Sequence, residues 1–311
     1  MSYRQFTGRL VVACLSFIVL ACAGDAQVGA QTARALPTVV AAGRVDAAVS
    51  RSGALLCVGL DPDPLKLPAS LGRRRNGVLE FCKAIVDATQ EYACAYKVNL
   101  AFFEALGNRG WDSLSAVAGF LPSDTLRIAD GKRGDIGNTS AMYARSLFTQ
   151  LPFDAVTVSP YMGSDSVIPF LADKTKGAFI LALTSNPGAR DFQYLRSGGK
   201  PLYEHVVSRV RRWNTKRNCG LVVGATKPGE LRRIRGLAPD LPILIPGIGA
   251  QGGDLKASVR HGCSDNGDLA VINVGRTILY ASSGPDFRKA AGAAARDMRD
   301  SINKYRETLI R

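Results

Sequence analysis

Eight short apolar runs, separated by stretches with helical spacing, constrain this chain more than any other feature. The runs are Ala54–Leu60, Ala95–Leu100, Leu126–Ala129, Ala155–Ser159, Ala178–Leu183, Gly220–Gly224, Pro242–Ile245 and Ala270–Val274. Between and after them lie segments such as Leu202–Trp213 and Phe287–Ile310, whose apolar residues recur at helical intervals. The runs are apolar on both faces, as strands of a parallel sheet covered by helices must be. Strand–helix alternation repeated eight times over roughly 250 residues predicts an α/β fold, the (β/α)8 TIM barrel. A doubly wound sheet produces the same alternation and stands as the second reading. No low-complexity linker interrupts the pattern, so residues 37–311 read as one domain, and 46% apolar content supplies its core.

Residues 1–36 are set apart from that domain. Arg4 and Arg9 precede an apolar run from Leu10 to Ala23, and Asp25 is the first acidic residue. This is the layout of a secretory signal, and Val19-Leu20-Ala21-Cys22 is a loose lipoprotein box. The run is too short for a comfortable membrane span. An upstream start codon or an unstructured extension is the other reading, and both stay open. The barrel is expected to be cytoplasmic and to engage no membrane, with the leader leaving export open.

The net charge is +14, but Lys and Arg are spread along the chain and aromatics make up only 7%. No basic run interleaved with aromatics and no zinc-finger spacing occurs, so a nucleic-acid partner is not expected. A small anionic substrate accounts for the same bias through steering. The seven cysteines (14, 22, 57, 82, 94, 219 and 263) form no CxxC pair and read as buried, reduced thiols. Only His205 and His261 are present, which removes most zinc sites and most Ser-His or Cys-His nucleophiles. Both read as ordinary surface or helix-end residues, and Trp111 and Trp213 as packing.

In a barrel, chemistry sits where strands end and loops begin. Those places carry Asp61, Lys97 and Asn99, Asp130 and Lys132, Ser185 and Asn186, Gln251 and Arg276. The densest stretch is Asp130-Gly-Lys132-Arg-Gly-Asp135-Ile-Gly-Asn-Thr139. DxKxxD alone is compatible with a solvated loop. At the end of a strand, however, Asp130 and Lys132 are two apart in an extended segment and point to one side. Lys97 on the neighbouring strand can join them, and alternating lysines and carboxylates hold one another ionised. Such a site keeps an ammonium ready to donate a proton without a metal. Gly247-Ile-Gly249-Ala-Gln-Gly252 matches GxGxxG after a strand, but a dinucleotide site also wants an acidic residue about 20 positions on. Here the next strand ends Asn273-Val-Gly-Arg276, which suits a phosphate instead.

Asp-x-Lys-x-x-Asp-Ile-x-x-Thr, with Lys97 in the preceding strand, resembles the signature of the orotidine 5′-monophosphate decarboxylases. The wording from Lys132 to Thr139 is similar to the longer bacterial, type 2 branch. Similarity continues in Gly59-Leu-Asp61-Pro, Tyr96-Lys97-Val-Asn99, Ser159-Pro-Tyr-Met-Gly163 and Leu183-Thr-Ser-Asn-Pro-Gly188. It extends through Val222-Val-Gly-Ala-Thr226, Pro246-Gly-Ile-Gly-Ala-Gln-Gly-Gly-Asp254 and Val274-Gly-Arg276, covering about Leu55 to Ala281. Gly131 departs from the pattern, where alanine is expected.

The resemblance implies a homodimer with shared active sites that turns orotidine 5′-monophosphate into UMP and carbon dioxide, with no metal and no cofactor. It implies that Lys132 protonates C6, Asp130 faces the substrate carboxylate and Lys97 bridges ribose and charge network. Asp135 and Thr139 would enter the partner's site. Asp61 would bind the ribose hydroxyls and Asn99 the substrate beside it, Ser185 the pyrimidine edge, and Gln251, Gly275 and Arg276 the phosphate. Two rivals stand against this reading. One is a magnesium-dependent sugar-phosphate decarboxylase or synthase of the same superfamily, which carries Glu where this chain has Lys97. The other is an exported, non-catalytic barrel.

Overall fold

The computed structural model describes residues 53–310. The leader of residues 1–36, with Cys14 and Cys22, lies outside the described residues. Eight parallel strands close into a barrel in the order β1-β10-β9-β8-β5-β4-β3-β2. They are β1 (Leu56–Leu60), β2 (Ala95–Asn99), β3 (Leu126–Arg133), β4 (Ala155–Val158), β5 (Gly177–Leu183), β8 (Cys219–Val223), β9 (Ile243–Pro246) and β10 (Ala270–Val274). Closure disposes of the doubly wound alternative. All residues of β1, β4, β8 and β10 are buried, as expected of strands sandwiched between barrel interior and helices.

Each strand starts and stops within a residue or two of its predicted run, except that β3 continues to Arg133. Helices at Leu202–Trp213 and Phe287–Ile310 also match their predicted spans. The latter buries Phe287, Ala291, Ala295 and Ile302, a single face set by the helical repeat. A hairpin formed by β6 (Arg196–Ser197) and β7 (Lys200–Pro201) was not expected. Its two-residue turn is Gly198-Gly199, with φ of 55° and 78°, values that glycine adopts without steric cost.

Cys57, Cys82, Cys94, Cys219 and Cys263 are all buried. Burial pushes the Cys219 and Cys263 thiols up to about 12, so they are inert at neutral pH. His205 caps the hairpin through its Nε2 and the Ser197 carbonyl, 2.9 Å apart, and His261 ends the helix Leu255–Gly262. Trp213 packs against the core, but Trp111 is 43% exposed, which corrects its reading as packing. Among the described residues no helix is long and apolar enough to cross a membrane.

The end of the barrel where strands begin is tied together by buried ion chemistry. Asp154 accepts from the Arg127 backbone N–H and from its guanidinium, each at 3.1 Å. The Arg235 guanidinium donates to the carbonyls of Ala238, Pro239, Leu241, Gly262 and Leu269, tying the ends of two helices to the start of β10. Burial pulls this guanidinium down to about 10, yet it stays charged at neutral pH. Arg235→Ala should therefore lower stability by about 3 kcal/mol, because several carbonyls lose their donors together. Lysine cannot reproduce the fork and should restore little. Chemical denaturation of both variants checks this, with a loss below 1 kcal/mol counting against the role.

Candidate active site

Strands alternate their side chains, so a single inward row rises through the barrel and reaches the rim at the strand ends. On β1–β3 that row ends in Asp61, in Lys97 with Asn99, and in Asp130. On β5, β8 and β9 it ends in Leu181, Val222 and Leu244. Together they enclose a cavity of about 260 Å³, charged on one wall and apolar on the other. Lys97, Asp130, Lys132, Asp61, Asn99, Ser185, Gln251, Gly275 and Arg276 all line it, as the sequence leads one to expect. Asp135 and Thr139 do not. The Asp135 carboxylate instead accepts the Ile136 backbone N–H at 2.7 Å, and Thr139 sits on the helix Gly137–Arg145.

Asp130 is the centre of the charged wall. Its Oδ2 accepts from Lys97 Nζ at 2.7 Å and its Oδ1 from Lys132 Nζ at 2.8 Å. Asp61 lies 3.8 Å from the same Lys97 ammonium. Lys97 is 4% exposed and Asp130 8%, so neither has enough water to support its charge. Burial alone would raise the Asp130 carboxyl, but the Lys97 and Lys132 ammonium groups overcome it and hold the carboxyl well below the usual carboxylate range. Burial likewise works against the Lys97 ammonium, and the Asp130 and Asp61 carboxylates reverse it, leaving Lys97 above its ordinary value. Tyr280 steadies the Asp61 loop: its hydroxyl donates to the Asp61 carbonyl at 2.9 Å and accepts the Asp63 N–H at 2.7 Å.

One local expectation is overturned. Lys132 does not lie in an extended segment, since its φ is 46° and β3 is irregular between Ala129 and Arg133. Lys132 and Asp130 still meet because the long lysine side chain curls back to the carboxylate, leaving that side chain 52% exposed at the cavity mouth. GxGxxG builds a loop, with Gly249 at φ 80° where a Cβ would come within 2.2 Å of Thr277 Oγ1. That approach brings the β9 loop against the β10 loop, with Gln251, Gly275 and Arg276 around one end of the cavity.

Thr157, Thr184 and Asn273 also line the cavity and were not singled out in the sequence. Thr157 and Asn273 had a signal, as the one polar residue within each of the apolar strands β4 and β10. Among the described residues, no group of three or more His, Cys, Asp and Glu is placed to hold a metal ion.

Fold and site define a (β/α)8 barrel whose strand-end face joins a lysine–aspartate network to a rim formed by Gln251, Gly275 and Arg276. Residues 54–291 match the orotidine 5′-phosphate decarboxylase / HUMPS family. An orotidine 5′-phosphate decarboxylase of Dehalococcoides mccartyi is 52% identical over 262 residues, covering 83% of this chain and 95% of the relative. The solved OMP decarboxylase of Leishmania donovani superposes with TM-score 0.76 at 41% identity, covering 86% of this chain and 99% of that one. The UMP synthase of the same organism gives 0.77 at 44% identity, covering 84% of this chain but only 56% of that longer one. The chain belongs to the orotidine 5′-phosphate decarboxylase / HUMPS family.

The depressed Asp130 carboxyl contributes stability that is full above its unfolded value, about 3.9, and is lost as pH falls through the lower folded one. The raised Lys97 ammonium contributes below its unfolded value, about 10.4, and is lost as pH rises through the higher folded one. The pair is therefore constant across neutral pH. Lys97→Met should cost about 3–5 kcal/mol at pH 7, because buried Asp130 and half-buried Asp61 are left with one ammonium fewer. That deficit should shrink on going to pH 5, as an under-paired carboxylate takes up a proton. Urea denaturation at both pH values checks it; a deficit that grows on acidification contradicts the pairing.

Proposed function

We propose that this chain is a carboxy-lyase that converts orotidine 5′-monophosphate to uridine 5′-monophosphate and carbon dioxide in pyrimidine synthesis. The observation that carries the reading is the Asp130 carboxylate holding two ammonium groups, one buried and one at the cavity mouth. The family name covers two chemistries, and Lys97 favours this one. Its ammonium stands between Asp61 and Asp130, where the sugar-phosphate branch would need a divalent cation between carboxylates.

The C6–carboxylate bond breaks, and carbon dioxide leaves without the bonding electrons. The pair stays on C6 in an orbital outside the ring π system, so it gains nothing from ring resonance. A fixed ammonium is the direct electrostatic remedy. Lys132 Nζ gives its proton to C6 and then recovers one from solvent, which its exposed side chain reaches. The Asp130 carboxylate faces the departing carboxylate. The apolar wall of Leu181, Val222 and Leu244 accommodates a flat ring and keeps water from the carbanion. Ser185 Oγ is buried and makes no hydrogen bond within the described residues, which suits a group waiting for the pyrimidine edge. Asp61 and Lys97 take the ribose hydroxyls, Asn99 contacts substrate beside them, and Gln251, Gly275 and Arg276 hold the phosphate.

The enzyme acts as a homodimer in which Asp135 and Thr139 complete the partner's site. Their position outside the cavity supports this, as does an apolar surface beside them: Ile136, Met142, Tyr161, Met162 and Ile168 are all 45–81% exposed. Apolar side chains grouped at one edge suit a second copy of the chain. The reading carries with it a cytoplasmic location and no nucleic-acid partner, the latter supported by the dispersed basic residues.

Orotidine 5′-monophosphate supplied to the full chain after exhaustive EDTA treatment should be consumed at an undiminished rate, followed by its absorbance. Lys132→Ala should lose at least about a hundredfold in kcat while unfolding at an unchanged temperature. Activity that falls with EDTA and returns with magnesium would favour the sugar-phosphate rival. Mixing Lys132→Ala with Asp135→Ala, each nearly inactive alone, should restore activity once subunits exchange. Half the dimers are mixed and half their sites intact, so roughly a quarter of wild-type activity returns. No recovery despite proven exchange would mean that each site is built within one chain.

A further inference from the structure

We propose that Thr157 is a positioning residue for this decarboxylation, acting through Asp130 and Lys132; the inference rests on the activity proposed above. Thr157 is 1% exposed in a strand whose other residues are all apolar, so its hydroxyl needs partners inside the protein. The ladder explains where they come from. β3 and β4 pair at Ile128 with Ala155 and at Ala129 with Val156, and then not until Arg133 with Val158. Asp130, Gly131 and Lys132 thus all stand opposite Thr157, and the bulge leaves strand hydrogen-bonding groups without their usual partners.

Thr157 takes over that function with its side chain. The Lys132 backbone N–H donates to Thr157 Oγ1 at 3.0 Å, and the Thr157 hydroxyl donates to Asp130 Oδ1 at 2.8 Å. Lys132 Nζ donates to the same Oδ1 at 2.8 Å, so the three residues close a ring. Both ends of Lys132 are tied: its main chain through Thr157 and its ammonium through Asp130. This matters because Lys132 holds φ at 46°, a conformation that side-chain-bearing residues seldom adopt without support. The ring also pins the Asp130 carboxylate. Oδ2 is held by buried Lys97, and Oδ1 would otherwise be held only by a half-exposed lysine. Thr157 thereby fixes the direction in which the proton donor points.

Thr157→Val keeps the shape and removes the hydroxyl, whereas Thr157→Ser keeps the hydroxyl. In the full chain, the valine variant should lose about 10- to 100-fold in kcat with KM little changed, since small misplacements of a reacting group are costly. The acid limb of its kcat profile should move to higher pH, because the ionised Asp130 has lost a hydrogen bond that favoured it. Hydrogen exchange at the Lys132 amide should accelerate. The serine variant should match wild type in all three. A valine variant with kcat within threefold of wild type overturns the proposal, whatever its exchange. So does a serine variant as impaired as valine, which would assign Thr157 to packing alone. Should the valine variant not fold, Thr157→Ala removes the same hydroxyl without bulk and is read the same way. If wild type does not consume orotidine 5′-monophosphate, the activity reading fails and the positioning role with it. Amide exchange then decides separately whether Thr157 holds the Lys132 backbone.

Discussion

One carboxylate between two ammonium groups organises the top of this barrel. Asp130 is buried, and a buried carboxylate without partners would take up a proton. Lys97 comes from β2 and Lys132 from the same strand as Asp130, so the carboxylate links two strands and the beginning of a loop. The two lysines are not equivalent. Lys97 is enclosed between Asp130 and Asp61 and is held above its ordinary pKa, which makes it a fixed charge. Lys132 projects to the cavity mouth, where a proton given up can be replaced from water. In the proposed reaction the donor, which acts repeatedly, would need such access, and a positioning charge would not.

The barrel separates stability from chemistry along its axis. At the end where strands begin, Asp154 and Arg235 satisfy backbone groups that would otherwise be buried without partners. At the other end hydrogen bonds are missing within the described residues: Ser185 Oγ is buried without one, and Asp61 Oδ1 has only the Lys97 ammonium at 3.8 Å. Unsatisfied groups cost stability where they stand, and a substrate that supplies their partners recovers it on binding. The cavity is also divided across its width. Charge lies on β1–β3 and apolar side chains on β5, β8 and β9, so a flat ring with one ionised substituent is oriented by the walls themselves.

Much of this was legible in the sequence because it follows from periodicity and chemical type. Runs apolar on both faces mark covered parallel strands, and charged residues at their ends mark the catalytic face, so Lys97, Asp130 and Lys132 stood out. What could not be read was local backbone departure from the ideal strand. The extension of β3 through a bulge to Arg133 appears in no pattern of residue types. Without the bulge, Lys132 looks extended and Thr157 looks like a β-branched strand former. The β6–β7 hairpin carries turn chemistry in Ser-Gly-Gly-Lys, but its strands of two residues each form no apolar run, so nothing in the periodicity marks it. Trp111 illustrates the converse limit: helical spacing says that a residue is on a helix, not which face meets the core.

The charges of the site give the second chain of the proposed dimer a part in the chemistry. Within one subunit, Lys97 and Lys132 are matched by Asp61 and Asp130, so the inner wall is neutral before substrate enters. In the proposed reaction a substrate carboxylate beside Asp130 would meet a wall with no charge to spare, and its phosphate would reach Arg276 at the cavity rim. In the proposed dimer, Asp135 of the partner subunit adds one more negative charge near Lys132. That charge would attract the ammonium and oppose the ionised carboxylate of the substrate. In the proposed step, losing carbon dioxide would remove the opposed charge from beside Asp130, and the carbanion left on C6 would face the ammonium. If the proposed dimer forms, an arrangement neutral in one chain and negative in two would favour departure over binding of the carboxylate, provided that the phosphate contacts hold the nucleotide in place.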